Sequence, residues 1–77
     1  EDTTLIGFKL LDGVPHEDLI AVADRLRIKN RATYIIANDL SQIGNGKHPA
    51  YFVGENGVDY TCETKQEIAS TLEKILF

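Results

Sequence analysis

Four of the eight basic residues in this 77-residue chain are crowded into one short segment: Arg25, Arg27, Lys29 and Arg31. Arg25 and Lys29 are four positions apart, so they would share one face of a helix. Two cations on one face can hold a phosphate group. Basic residues also simply balance the negative end of a helix dipole, and the residues alone favour this second interpretation.

Polar residues at the end of an apolar run form a second candidate set. Asn38 and Asp39 directly follow such a run, and the ligands of open α/β sheets gather at the carboxyl ends of strands. The same residues could instead cap the turn through Asx-type hydrogen bonds. The sequence leaves both interpretations open.

The segment Gly7-Phe8-Lys9 interrupts another apolar run. A glycine inside a strand often marks a close approach of the backbone to another group. Phe8 could stack on a nucleotide base or lie in the core, and the pattern favours the core. Lys9 is a lone charge that either points to a site or extends to solvent at the strand end.

Residue types and spacing give no support for other chemistry. His16 and His48 are far apart and lack metal-ligand spacing. Cys62 has no base beside it, so we expect a small core residue. None of the phosphate-cradling glycine motifs is present. We therefore predict no catalytic residue and no metal site within the chain.

The elements that must position these residues follow from the apolar patterns. They are a strand buried on both faces over residues 4–11, a helix over 15–29 with Asn30 just past its end, a strand over 33–37, hairpin strands over 51–53 and 58–62, and a final helix with a Thr64/Glu67 capping box. Asn56-Gly57 favours a type I′ hairpin turn, and Gly44-Asn45-Gly46 favours a mobile loop.

This order predicts the α/β class: a βαβ unit with parallel strands, then a β-hairpin and a C-terminal helix. Residues 1–77 would form a single α/β domain or the C-terminal subdomain of a longer enzyme. Two helices are too few to bury both faces of the first strand, so we expect partner strands upstream in a longer chain or in a second subunit.

Composition narrows the class of protein. The net charge of −4 argues against a general nucleic-acid binder, which needs a basic face. A single cysteine excludes an internal disulfide and favours a reducing, cytoplasmic setting. No apolar run reaches the length of about 18 residues that a membrane span needs, and no signal peptide opens the chain. We expect no contact with a membrane.

The order of the motifs resembles the C-terminal segment of phosphopantothenate–cysteine ligase, or phosphopantothenoylcysteine synthetase, of coenzyme A biosynthesis. The matching motifs are the Gly-Phe-Lys strand at 5–10, the basic helix end at 25–30, the strand ending Ala37-Asn38-Asp39, the hairpin around Asn56-Gly57 and the start of the last helix at 64–69. The likeness runs from about residue 4 to residue 77 and is greatest to the stand-alone bacterial ligases.

The resemblance implies a Rossmann-like three-layer fold in a cytoplasmic homodimer that joins 4′-phosphopantothenate to cysteine. Bacterial members activate the carboxylate with CTP as an acyl-cytidylate, with Mg²⁺ as companion of the nucleotide, whereas most eukaryotic relatives use ATP. The family's glycine-rich loop, catalytic asparagine and flap lysine lie upstream of this segment. The chain alone is therefore expected to be inactive.

The resemblance also implies nucleotide contacts at matching positions. These are Gly7, Phe8, Lys9, Arg25, Lys29 and Asn38. Arg25 stands where many members have lysine, which keeps the charge but changes the geometry. The alternative function is a non-catalytic α/β interaction or dimerisation module that uses the hairpin edge.

Overall fold

Residues 4–77, which the computed structural model describes, form a four-stranded mixed sheet with one helix on each face. The elements in chain order are β1 (Ile6–Leu11), α1 (His16–Asn30), β2 (Tyr34–Asp39), a short 3₁₀ helix (Leu40–Gln42), β3 (Ala50–Gly54), β4 (Gly57–Cys62) and α2 (Lys65–Leu76). The strands lie in the order β1-β2-β3-β4; β1 and β2 are parallel, and the other pairs are antiparallel. The predicted α/β class with its βαβ unit, hairpin and C-terminal helix is confirmed, and the arrangement is consistent with a Rossmann-like fold.

The sheet separates two apolar layers. On one face, α1 packs Leu19 and Ala23 against Ile35 of β2. On the other face, Phe52 of β3 lies in a layer that α2 covers. Each of these side chains is at most 1% exposed. Because full burial of a large apolar side chain contributes about 1.5–3 kcal/mol, the two central strands carry most of the core.

β1 is an edge strand, and its predicted burial on both faces is wrong for the described residues. Phe8 and Leu10 are 64% and 54% exposed. They point to the α2 face, since they pair with Ile36 and Asn38 of β2. The apolar stripe of α2, however, packs against the layer around Phe52, which lies on the same face but toward β3 and β4. Among residues 4–77, therefore, no element buries the exposed Phe8 and Leu10 side chains of β1.

The end of α1 lies one residue beyond its predicted position. Asn30 is the last helical residue, and Arg31 adopts the left-handed conformation with φ 54° and ψ 41°. The N–H of Ala32 donates to the carbonyl of Arg27 at 2.9 Å, and the N–H of Arg31 donates to that of Ile28 at 3.2 Å. This pair of bonds is the Schellman motif, which satisfies carbonyls that a helix end leaves free.

The two Asn-Gly pairs adopt turn geometries that differ from those predicted. Asn45-Gly46, placed in a mobile loop by the sequence, joins Gly44 to Lys47 in a two-residue turn. Both of its residues have positive φ (52° and 80°), as a type I′ turn requires. In the β3–β4 hairpin only Gly57 has positive φ, 102°. A type I′ turn at Asn56-Gly57 is therefore wrong.

The start of α2 confirms half of the predicted capping box. Thr64 Oγ1 accepts from the N–H of Glu67 at 3.1 Å. The Glu67 carboxylate accepts from the N–H of Glu63, one residue before the expected partner. Cys62 is 2% exposed, as expected of a small core residue.

Candidate functional site

Three of the predicted nucleotide contacts line one depression beside the β1 edge. Lys9 projects from β1 to the α1 face, because its neighbour in register is Ala37 of the α1-side core. Arg25 and Lys29 lie one helical turn apart on α1 and reach the same depression. Its volume is about 210 Å³, and Val22 and Leu26 complete its lining. We call these five residues the cationic cleft.

The positive charges of the cationic cleft form no ion pair with any described residue. Within residues 4–77, no carboxylate lies within 4 Å of Lys9, Arg25 or Lys29; the ion pair that does form joins Arg27 to Asp24 at 2.9 Å. Arg25 and Lys29 are exposed, and Lys9 is half-buried. In a chain of net charge −4, three unpaired cations around one depression produce a local field that attracts anions.

The remaining predicted contacts lie elsewhere. Phe8 and Asn38 belong to the α2 face, on the opposite side of the sheet from Lys9. Asn38 is 8% exposed and donates its Nδ2 to the carbonyl of Pro49 at 2.9 Å. Gly7 faces α1, where an added Cβ would meet Ile35 Cδ1 at 3.0 Å. In this structure Asn38 anchors the β2–β3 loop, and Gly7 permits close packing of β1 on β2.

Asp39 caps the turn after β2. Its Oδ1 accepts from the N–H of Gly13 at 2.9 Å and from the N–H and hydroxyl of Ser41 at 2.9 and 2.7 Å. The bond from Gly13, followed by the one from the Ser41 hydroxyl, lowers the pKa of Asp39 below its ordinary 3.8. For Asp39 the geometry shows the Asx-type turn cap that the sequence left open, whereas Asn38 makes no such cap.

Tyr34 is, with Asp39, one of the two groups among residues 4–77 whose pKa is shifted. Burial raises the pKa of its phenol, and the Asp59 carboxylate, which accepts the hydroxyl at 3.1 Å, raises it further. Both effects keep the Tyr34 hydroxyl protonated as a donor at neutral pH. The pair links β2 to β4 and lies away from the cationic cleft.

Sequence reasoning missed a second group of basic residues. Lys47, His48 and Lys65 line a cavity of about 440 Å³ together with residues of the β2–β3 loop. Lys47 and Lys65 are 18 positions apart in the sequence, so no local spacing connects them. The Asn45-Gly46 pair, a type I′ turn signal, was the available clue that this loop has a defined shape.

Two further searches covered the described part of the chain. No group of three or more His, Cys, Asp or Glu side chains there could hold a metal ion. No helix among residues 4–77 is long and apolar enough to cross a membrane.

Comparison with known proteins gives an informative likeness to a solved structure. No family model and no curated protein matches the chain. A solved structure, "The Crystal Structure of the DNA/Pantothenate Metabolism Flavoprotein from Streptococcus pneumoniae", is 51% identical with a TM-score of 0.86. The match covers 94% of this chain and 31% of that protein, so the chain spans about a third of the neighbour's length.

Identity of this level over nearly the whole chain, with the same fold, confirms the resemblance that the motif order indicated. The chain matches the C-terminal portion of this pantothenate metabolism flavoprotein.

Proposed function

We propose that this chain supplies nucleotide contacts and scaffold to a ligase of coenzyme A biosynthesis, which joins 4′-phosphopantothenate to cysteine with CTP and Mg²⁺ in a cytoplasmic homodimer. The likeness to a pantothenate metabolism flavoprotein supports the pathway. The cationic cleft is the observation that carries the proposed role of this segment, because it combines three cations without an ion pair among residues 4–77 in a chain of net negative charge.

In the proposed reaction, the carboxylate oxygen of 4′-phosphopantothenate attacks the α-phosphorus of CTP. This forms an acyl-cytidylate and releases diphosphate. The cysteine amine then attacks the acyl carbon, the amide bond forms, and CMP leaves. The cationic cleft would bind phosphate oxygens of CTP and favour the form in which charge builds up on them. The groups that act on the carboxylate and the amine are proposed to lie outside this chain.

The position of Phe8 restricts how a nucleotide could bind. Phe8 and Lys9 project from opposite faces of the same edge strand. A nucleotide lying across the β1 edge would stack its base on the exposed Phe8 ring and place its phosphates near Lys9, Arg25 and Lys29. In this arrangement the contacts proposed for Phe8 and for the cationic cleft belong to one ligand.

The test is a titration of the ¹⁵N-labelled chain with magnesium CTP, followed by amide NMR, with magnesium ATP as comparison. We expect saturable shifts at residues 7–9 and 25–30, larger for CTP. Lys29→Ala should weaken binding about tenfold, since it removes a charge-assisted contact. Lys74→Ala, which removes the same charge near the end of α2, is the matched control and should leave binding unchanged.

If Lys29→Ala and Lys74→Ala weakened CTP binding equally, the loss of affinity would follow from the change in net charge. That result would contradict the assigned Lys29 contact. A well-dispersed spectrum without shifts at any CTP concentration would remove the support for a nucleotide site formed by this chain alone. The same Lys29→Ala substitution in a full-length ligase that contains this segment should then be measured: an unchanged KM for CTP would reject the contact there too.

The interaction-module alternative has weaker support. The outer edge of β4 pairs with no other described strand. The ladder between β3 and β4 is irregular beside Val53, and the exposed Asp59 lies at this irregularity. Bulges and charged residues are the devices that prevent edge-to-edge pairing. The structure therefore favours the nucleotide-binding proposal over a module that assembles through β4.

A further inference from the structure

A cavity of about 440 Å³ lies outside the cationic cleft, between the β2–β3 loop and the start of α2. We call it the loop pocket; its lining residues are Ile43, Gly44, Gly46, Lys47, His48, Lys65 and Gln66. We propose that the loop pocket is a second anion site, which takes a small molecule bearing a phosphate or diphosphate group.

Two backbone contacts give the loop pocket a defined shape. Gly44 and Lys47 exchange backbone hydrogen bonds of 3.0 and 2.8 Å across the Asn45-Gly46 turn. The N–H of His48 donates to the carbonyl of Glu63 at 2.9 Å. The loop is thereby tied to the residues that lead into α2, and Lys47 and His48 are held on the same cavity as Lys65. A ligand would meet a site that is largely formed in advance.

The charge of the loop pocket favours an anion. Its lining contains two lysines and a histidine and no aspartate or glutamate. The groove beside the β3–β4 hairpin has the opposite character, because Glu17, Asp24 and Glu55 line it. No carboxylate of residues 4–77 lies within 4 Å of the Lys47 or Lys65 ammonium group. Both ammonium groups are therefore available to phosphate oxygens.

The polar atoms around the cavity also lack partners. Nδ1 of His48 is buried without a hydrogen-bond partner in the described part of the chain, and such atoms in proteins normally have one. The backbone N–H groups of Lys65 and Gln66 likewise donate to no described residue. An anion in the cavity would supply acceptors to these two backbone N–H groups.

The sheet topology places the loop pocket at the edge where α/β proteins bind ligands. β4 runs parallel to β1 and β2, because two successive antiparallel pairings separate it from β2. The carboxyl ends of these three strands therefore meet at one edge, and the loop pocket lies beyond the end of β4. Ligands of open α/β sheets gather at this edge. The inference does not depend on the nucleotide role proposed for the cationic cleft.

The experiment is a titration of the ¹⁵N-labelled chain with inorganic pyrophosphate at fixed pH and ionic strength. We expect saturable amide shifts at Gly46, Lys47, Lys65 and Gln66. The double variant Lys47→Gln/Lys65→Gln should weaken this binding about tenfold or more, because it removes both ammonium groups. Equimolar sulfate tests whether a compact dianion is enough.

The matched control is Arg25→Gln/Lys29→Gln, which also removes two positive charges, but from the cationic cleft. This variant should leave the pyrophosphate-induced shifts at the loop pocket unchanged. Shifts confined to residues 7–9 and 25–30 would overturn the inference while supporting the nucleotide cleft. The absence of saturation up to about 10 mM pyrophosphate, or equal weakening by the two double variants, would also overturn it. Dispersed spectra of both variants establish that they are folded.

Discussion

Asp39 ties two loops together through a single oxygen atom. Its Oδ1 accepts from the N–H of Gly13 in the β1–α1 loop and from two donors of Ser41 after β2. These bonds favour the ionised carboxylate, so the pKa of Asp39 in the folded protein is lower than its ordinary value. The folded state therefore binds fewer protons at this group than the unfolded state does, which makes its contribution to stability depend on pH.

We predict that the contribution of Asp39 is fully present above the unfolded pKa near 3.8 and is lost as pH falls through the lower folded pKa. Asp39→Asn should lower the free energy of unfolding at pH 7 and reduce its loss between neutral and acid pH. Urea denaturation at a series of pH values measures both effects. Asp12→Asn is the matched control, since Asp12 is exposed and accepts no hydrogen bond from the described residues. A parallel pH profile for the two variants would contradict the assignment.

At the residue scale, the sequence identified candidate basic residues more readily than it predicted which of them lie side by side in the folded chain. It brought Arg25 and Lys29 together, because helical spacing alone decides that they share a face. It could not place Lys9 beside them, since this depends on the register of β1 against β2. The link between Lys47 and Lys65 depends on the β2–β3 loop, whose path no periodic pattern encodes. The nucleotide roles of Gly7, Phe8 and Asn38 stay predictions.

At the element scale, the end of α1 offers a test of backbone strain. Arg31 occupies the left-handed conformation with φ 54°, which costs residues with a Cβ about 1–2 kcal/mol and costs glycine almost nothing. We predict that Arg31→Gly raises the free energy of unfolding by about 0.5–1 kcal/mol, after the greater flexibility of glycine in the unfolded chain is deducted. Chemical denaturation measures the change.

The neighbouring residue provides the control for this prediction. Asn30 is helical, so Asn30→Gly should lower the free energy of unfolding by up to about 1 kcal/mol. Opposite signs for adjacent glycine substitutions would locate the strain at Arg31. If both substitutions destabilised the protein, the left-handed end of α1 would be contradicted.

Gly7 of β1 and Gly54 of β3 differ in the space around them. A Cβ at Gly54 would lie 2.8 Å from Tyr34 Cε1 and 3.1 Å from Asp59 Oδ2, two groups that hydrogen-bond each other. Gly54→Ala should therefore destabilise the protein by about 1–3 kcal/mol, as overpacking does. Gly7→Ala should cost less, because its Cβ would meet one atom, the terminal methyl of Ile35, at 3.0 Å. Thermal unfolding of both variants tests the order, and a larger loss for Gly7→Ala would contradict it.

Element type and order could be predicted because apolar periodicity and turn residues are local signals. The stripe around Leu19 and Ala23 gave α1, and Thr64 with Glu67 gave the start of α2. The turn types could not be assigned from the Asn-Gly pairs alone, because strand pairing decides which residues occupy the central positions. Asn45-Gly46 and Asn56-Gly57 present the same pair with different geometries.

At the scale of the whole molecule, the uneven cover of the sheet predicts unequal roles for two phenylalanines. Phe52 is fully buried, whereas Phe8 is 64% exposed. Phe52→Ala should cost about 3–5 kcal/mol, and Phe8→Ala should cost less than about 1 kcal/mol in this chain. Denaturation of the chain tests the difference. In a longer protein whose further residues cover β1, Phe8→Ala should cost more; an equally small effect there would contradict burial of this face.

The carboxylate oxygen of Asp39 also has a dynamic consequence for the chain as a whole. The same oxygen atom accepts hydrogen bonds from the amides of Gly13 and Ser41. A local opening that moves the Asp39 carboxylate away therefore exposes both amide hydrogens to exchange with solvent at once. The two loops then form one cooperative unit, although 26 residues separate Gly13 from Asp39 along the chain. In hydrogen exchange, the two amides would report a single opening free energy and lose protection together as the carboxylate becomes protonated.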